Sequence, residues 1–217
     1  MVAMIRLLLV DDHAIVRAGY RSLLAKQPGL VIVGEAADGI DAYAQFKETE
    51  PDVVIMDLSL PGQSGLEVLA RMRQRRADAK VLVFTMHQDP IYAIQATRAG
   101  ALGYVTKSSA PEVLVQAIYQ VHQGQRPLSA DIAQALALEK LNGDRAALES
   151  LTVREFEILR LLVAAQSTEA IADALNISPK TVANCHYLIK RKLGVVNDIA
   201  LFRWAIKMEI IQFSALS

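Results

Sequence analysis

The chain has 217 residues, 53% of them hydrophobic and 21% charged, with 23 Lys and Arg against 23 Asp and Glu. That length suits one or two domains, and that composition excludes a disordered chain in favour of folded cores. The balanced charge excludes no partner by itself, since only its distribution along the chain can do so. A single cysteine, Cys185, excludes an internal disulfide framework and fits a reducing compartment. No uncharged apolar run approaches the roughly 18 residues of a membrane span. The opening MVAMIRLLLVDDH ends its apolar run in two aspartates without a small-residue cleavage site, unlike a signal peptide. A cytoplasmic location and no membrane partner are therefore expected.

Through residue 123 the chain alternates between two periodicities. Runs rich in Val, Ile and Leu at Ile5–Val10, Leu30–Val33, Val53–Met56, Val81–Phe84 and Gly103–Val105 read as strands, and the stretches between them carry helical spacing. Five such units predict a parallel sheet covered on both faces. A strand buried on both faces has no reason to alternate, which explains the greasy run Val53–Met56. It does not explain why that run ends in Asp57. The carboxyl ends of such strands are where an open α/β sheet places its ligand crevice.

Residues 124–147 open on Gly124 and Pro127 and close on a Gly143–Asp144 turn, predicting a linker with one helix near Ala130–Leu141. From about Leu148 the strand signal stops and four short helices follow, the C-terminal domain of residues 148–217. Thr152 with Glu155 has capping-box spacing and starts the first, to about Ala165. Ser167–Leu175 is the second; Ser178 caps the third, with Pro179 at its first position, running to Leu193. Asn197 or Asp198 caps the fourth, through Met208.

Polar residues punctuate the strand ends. Asp11 and Asp12 follow the first strand and Asp57 the third; Thr85 closes the fourth and Lys107 lies just past the fifth. In a doubly wound sheet of order 2-1-3-4-5 all would meet on one rim. Carboxylates that close repel one another, and a hard divalent cation such as Mg²⁺ (or Mn²⁺) is the usual remedy, one that also accepts a phosphoryl oxygen. With Lys107 as a second cation, Asp57 becomes a candidate nucleophile toward phosphorus.

The segments LLLVDDH, VIMDLSLPGQSGLEVL, VFTMH and GYVTKSS resemble the receiver domain of two-component response regulators, over residues 5 to 123. The resemblance implies a flavodoxin-like doubly wound (βα)5 domain, residues 1–123. It implies that Asp57 is the phosphoacceptor, that Asp12 ligates the metal directly, that Asp11 acts through metal-bound water and that Ser59 offers its main-chain carbonyl. Thr85 and Lys107 would bind phosphoryl oxygens, and Tyr104 would turn inward as Thr85 moves. Ser59 and His87 stand two residues past site residues, where an attacking water would enter, and are expected to tune phosphoryl lifetime.

In the C-terminal domain, Ala174 through Asn197 holds no Asp or Glu but does hold Lys180, Lys190, Arg191 and Lys192. Such a patch is a footprint for phosphates, although a basic solvated face has the same look. On a helical wheel Val182, Cys185, Ile189 and Leu193 fall on one stripe, with Ala183, Asn184, Tyr187 and Arg191 opposite. LTVREFEILRLL, IADALNISPKTV and RKLGV resemble the all-α, four-helix helix-turn-helix DNA-binding domain of the NarL/LuxR class; SPKTVANCHYLIKRKL and NDIAL lean toward its GacA-like members. The class commonly has Lys at the position of Ala183 and His at that of Cys185, with glycine frequent where Gln166 stands. Base readout therefore falls to Asn184 and Tyr187, and phosphate contacts to Lys180, Thr181, Lys190 and Lys192. The fourth helix either plugs its own core or pairs with a twin; the resemblance implies the latter, with Leu201, Trp204 and Ala205 as dimer candidates matching an inverted-repeat promoter site.

Together these imply a transcription regulator phosphorylated by a sensor histidine kinase, which then binds DNA as a homodimer, with RNA polymerase a further partner. It is not a metabolic enzyme: only its own phosphorylation and slow dephosphorylation are catalysed. Two alternatives stand beside this. A DNA-binding regulator controlled mainly by protein contacts is one. An aspartyl-phosphate hydrolase is the other, but it would want an acid where this chain has Ser59.

Overall fold

The computed structural model describes residues 4–61, 63–142, 146–208 and 210. They fall into two units, Met1–Leu141 and Asn142–Ser217. The first holds five strands, β1 (Ile5–Val10), β2 (Leu30–Ala36), β3 (Val53–Met56), β4 (Val81–Thr85) and β5 (Gly103–Thr106). They lie in the order 2-1-3-4-5 and pair in parallel. Between them run α1 (Ala14–Leu24), α2 (Gly39–Thr49), α3 (Gly65–Arg75), α4 (Pro90–Ala99) and α5 (Pro111–His122). Every residue of β3 is buried, as a strand covered on both faces requires. Leu7, Leu9, Ile55, Leu82, Phe84, Leu114 and Ile118 belong to one core layer on one side of the sheet.

β2 runs three residues past the predicted Val33. After an irregularity at Leu7/Leu8, β1 goes on to pair Leu9 with Glu35 and Val10 with Ala36, and Glu35 is held by Arg21 at 3.1 Å. Tertiary pairing thus extends a strand whose residues no longer look apolar. Helix starts follow local chemistry: the side chains of Asp38, Ser64 and Asp89 accept hydrogen bonds from the first turns of α2, α3 and α4. At Gly65, a Cβ would lie 2.1 Å from the main-chain oxygen of Asp57, so only glycine lets α3 start against the end of β3.

The segment after Gln123 carries one helix, α6 (Ala130–Asn142), whose start is joined to the sheet of the first unit. The turn expected at Gly143–Asp144 lies outside the described residues. The second unit opens with a short helix that the sequence pattern did not indicate, α7 (Ala146–Glu149). Four helices follow, as expected: α8 (Val153–Val163), α9 (Thr168–Leu175), α10 (Pro179–Leu193) and α11 (Asp198–Lys207). Thr152 and Glu155 form the expected capping box, and of the two candidates for the last cap it is Asn197 whose side chain accepts from Ala200 N. Phe156, Leu159, Ile171, Val182, Ile189 and Leu193 are buried.

Candidate functional site

Strand register builds the acidic site. Val10 of β1 pairs with Met56 of β3, and the amide of Asp57 donates to the carbonyl of Val10 at 2.9 Å, so Asp11 and Asp57 leave neighbouring strands side by side. Thr85 pairs with Thr106, and Lys107 N donates to Thr85 O at 2.7 Å. Asp11 and Asp57 are each 2% exposed. Ligand atoms of Asp11, Asp12, His13 and Asp57 all lie within 4.8 Å of one another. Lys107 Nζ reaches Asp11 Oδ2 at 2.6 Å and Asp57 Oδ2 at 2.5 Å.

Burial pushes the Lys107 ammonium down, but its hydrogen bonds to Asp11 and Asp57 outweigh burial and hold it above the ordinary lysine value. Three carboxylates against one ammonium still leave two negative charges. A hard divalent cation with oxygen ligands matches that deficit and that donor set, so the residues fit Mg²⁺ or Mn²⁺. His13, missed in the sequence reading, closes the cluster from the position directly after the two aspartates, with Nδ1 2.7 Å from Asp12 Oδ1. The only signal for it was that adjacency.

Thr85 is fully buried, and its hydroxyl has no partner among the described residues. An unmet buried donor of this kind costs about 1–3 kcal/mol, so an acceptor arriving nearby would be drawn to it. Tyr104 is 1% exposed and its hydroxyl donates to the carbonyl of His87 at 2.9 Å. The ring is inward here with its hydroxyl satisfied, the position expected of it once Thr85 moves. Burial raises the phenol far above its ordinary value, leaving a neutral donor. Ser59 N donates to Asp57 Oδ1 at 3.2 Å, while Ser59 Oγ meets His87 Nε2 at 3.1 Å and the His87 ring stacks on Tyr92 at 4.1 Å. The two residues expected at the water entrance therefore touch each other beside Asp57.

The second unit places α9 and α10 about the short turn Asn176–Ser178, with Asn176 in the left-handed region. Lys180, Thr181, Ala183, Asn184, Tyr187 and Arg191 are exposed, with Tyr187 at 62%, whereas Val182, Ile189 and Leu193 are buried as the wheel indicated. Cys185 is half-buried, and burial raises its thiol, as suits a packing side chain.

Two of the basic residues are not free. Lys192 Nζ donates to Glu155 Oε2 at 2.6 Å and to Ser150 O at 3.2 Å, which ties it to the start of α8. Lys190 Nζ lies 2.8 Å from Asp198 Oδ1, and His186 Nε2 approaches the same oxygen at 2.9 Å. Arg191 has no carboxylate partner among the described residues.

The dimer candidates also move. Leu201 is 1% exposed and Ala205 0%, so both are already covered by their own chain, and Trp204 is half-buried; Ile199 at 69% and Ile206 at 43% face outward instead. A fourth helix of this length left its wheel ambiguous. The residue in the left-handed region after α8 is Ala165, with φ 57°, not Gln166, so the position that favours glycine lies one residue earlier than expected.

With this geometry in view, comparison with known proteins is specific. The response regulator receiver domain family matches residues 7–119, and the luxR family of bacterial regulatory proteins matches residues 149–205. The response regulator UvrY of Escherichia coli (strain K12) is 38% identical over 216 residues, 99% of this chain and 99% of that protein. The response regulator GacA of Pseudomonas aeruginosa PAO1 is 39% identical over 206 residues, 94% of this chain and 96% of that one. Among solved structures, RcsB from Salmonella enterica serovar Typhimurium, bound to promoter rprA in the presence of phosphomimetic BeF3⁻, matches with a TM-score of 0.71 and 27% identity. That match covers 93% of this chain and 98% of that one.

Proposed function

The chain belongs to the NarL/FixJ family of two-component response regulators, phosphorylated transcription regulators that bind DNA, and from that premise we propose that Asp57 carries its phosphoryl group. The observation that carries this reading is the meeting of Asp11, Asp12 and Asp57 with Lys107 at the ends of β1, β3 and β5. The Asp57 carboxylate oxygen bonds to phosphorus. The bond from phosphorus to the donor breaks, its electron pair staying with the imidazole nitrogen of a kinase phosphohistidine or with the acetate of acetyl phosphate. An acyl phosphate remains on Asp57. Lys107 pairs with the new oxygens, and the unmet hydroxyl of Thr85 donates to them. Asp12, Asp57 and the Ser59 carbonyl would hold Mg²⁺ or Mn²⁺, with Asp11 acting through water. Bound there, the cation neutralises charge on the phosphoryl oxygens.

On the DNA side, α10 acts as the recognition helix. Asn184 and Tyr187 read base edges, and Lys180, Thr181 and Arg191 hold phosphates, with Lys190 joining them once it leaves Asp198. Activation pairs two copies on an inverted-repeat promoter site. The pairing surface on α11 is the outward side of Ile199 and Ile206, and RNA polymerase is a further partner. No described helix is long and apolar enough to cross a membrane, and the site of action is the cytoplasm. Phosphorylation and slow dephosphorylation are self-catalysed switching steps, not the turnover of a metabolite.

The test is direct. Full-length protein incubated with acetyl phosphate and Mg²⁺ should gain the mass of one phosphoryl group, and Asp57→Ala should gain none. Wild-type protein of unchanged mass, or equal labelling of Asp57→Ala, would overturn the assignment.

A further inference from the structure

The free edge of β5 is occupied by the segment leading into α6. Tyr104 N donates to Pro127 O at 2.9 Å and Ser129 N donates to Tyr104 O at 3.0 Å, making Leu128 the parallel partner of Tyr104. A Cβ at Gly103 would come within 2.9 Å of Pro127 Cγ, so the contact is close enough to need a glycine there. Ser129 is 1% exposed and Ile132 is fully buried, so this is a packed join.

The join converges on Thr106, which immediately precedes Lys107. Thr106 N donates to Ser129 Oγ at 3.3 Å. Thr106 Oγ1, also fully buried, donates to Asp131 Oδ2 in the first turn of α6 at 2.7 Å and accepts from Ser108 Oγ at 3.0 Å. A carboxylate acceptor makes the Thr106–Asp131 bond one of the stronger kind. On its other edge, the same stretch is fixed by Lys107 N donating to Thr85 O. The peptide that carries Lys107 is thus held between Thr85 and the start of α6, the helix through which the chain continues to the DNA-binding unit.

We propose that Asp131 is a positioning residue for Lys107, acting through the Thr106 hydroxyl, and that α6 thereby responds to the phosphoryl state of Asp57. This rests on the reading of Asp57 as phosphoacceptor. Lys107 Nζ divides its bonds between Asp11 and Asp57, so a phosphoryl group on Asp57 rearranges them and shifts the peptide that Thr106 anchors. Linkage makes the effect mutual: whatever phosphorylation does to the Thr106–Asp131 bond, that bond does to phosphorylation. Thr85 holds this peptide from the β4 side, and Asp131 gives the switch a second outlet on the other.

The experiment uses full-length protein carrying Cys185→Ser and Leu138→Cys, with a fluorophore on the exposed position 138 of α6. Acetyl phosphate with Mg²⁺ supplies the phosphoryl group, and intact mass reports its arrival in every sample. The label should shift its emission on phosphorylation in the parent. Asp131→Ala should remove that shift and slow phosphorylation about tenfold or more, because a displaced Lys107 no longer meets the incoming phosphoryl oxygens. Asp131→Asn, whose amide oxygen still accepts from Thr106, should restore both. Thr106→Val removes the same bond without touching α6 and should reproduce the loss even if Asp131→Ala fails to fold. A merely structural Asp131 would lower the unfolding midpoint while leaving rate and label response intact in the folded protein; that result overturns the proposal. So does a phosphorylated parent whose label does not move. If no sample gains mass, the assignment of Asp57 itself has failed, and this inference with it.

Discussion

The acidic rim of the first unit and the basic helix of the second are both clusters of like charge, yet their neighbours treat them in opposite ways. At the rim a single ammonium, Lys107, serves carboxylates that outnumber it, and the remaining deficit is an open demand for a cation. On α10 the reverse holds. Carboxylates from α8 and α11, Glu155 and Asp198, reach across to Lys192 and Lys190, so a run of charges that looks free in the sequence is partly spent inside the fold. A charge count therefore locates a site, and only tertiary geometry says how much of that charge remains for a partner.

The contrast can be broken most severely at Lys107. Lys107→Ala should cost about 3–5 kcal/mol of first-unit stability, because Asp11 and Asp57 lose their buried counter-charge. Mg²⁺ should recover much more stability in that variant than in wild type, as denaturant unfolding with and without the ion would report. An equal response to Mg²⁺ would mean that Lys107 and the cation do not answer the same charge.

A second, smaller effect concerns α10. Asp198→Ala releases both Lys190 and His186, and the salt dependence of binding to random DNA should steepen by about one charge. Arg191→Ala should flatten it by a similar amount and weaken binding to every sequence alike. Salt titrations of both variants decide whether paired and unpaired cations differ as the structure indicates.

Acid sharpens the comparison further. Burial pushes the Glu155 carboxyl up, yet hydrogen bonds from Lys192 and Thr152 hold it below the ordinary glutamate range. A group depressed on folding stabilises fully above its unfolded value and loses that contribution as pH falls through its folded value. Wild-type second-unit stability should therefore decline below the ordinary glutamate value, about 4.3. Lys192→Met should remove about 1 kcal/mol at neutral pH and flatten that decline. Fluorescence of Trp204, the sole tryptophan, follows this unit selectively.

The mildest change is Ala165→Gly. A side chain at φ 57° is strained, and glycine relieves it at some entropic cost, for a net gain of about 0.5–1 kcal/mol in thermal unfolding. The same substitution at Gln166, which is outside that region, should give no such gain.

These sites differ in how well the sequence announced them. Asp11, Asp57, Thr85 and Lys107 were legible because strand ends are marked locally, by an apolar run that stops at a polar residue, and parallel register brings the stops together. The capping box of α8 and the turn into α10 were legible for the same local reason. The pairing of Lys192 with Glu155, 37 residues away, has no local mark, and neither has the docking of Pro127–Ser129 on β5, which uses a single bridge rather than a periodic strand. The burial of Leu201 and Ala205 was hidden because α11 carries apolar residues on more than one side.

The close seat of Gly65 has one more consequence. The start of α3 rests directly on the peptide of Asp57, with Gly65 N also donating to Leu58 O at 3.1 Å, so no side chain cushions helix from acid. Half of the rim is thereby braced like an anvil, with α3 seated directly behind the peptide of Asp57. On the reading proposed for Asp57, the expected place for displacement is the opposite bank, β4, β5 and the segment laced to them.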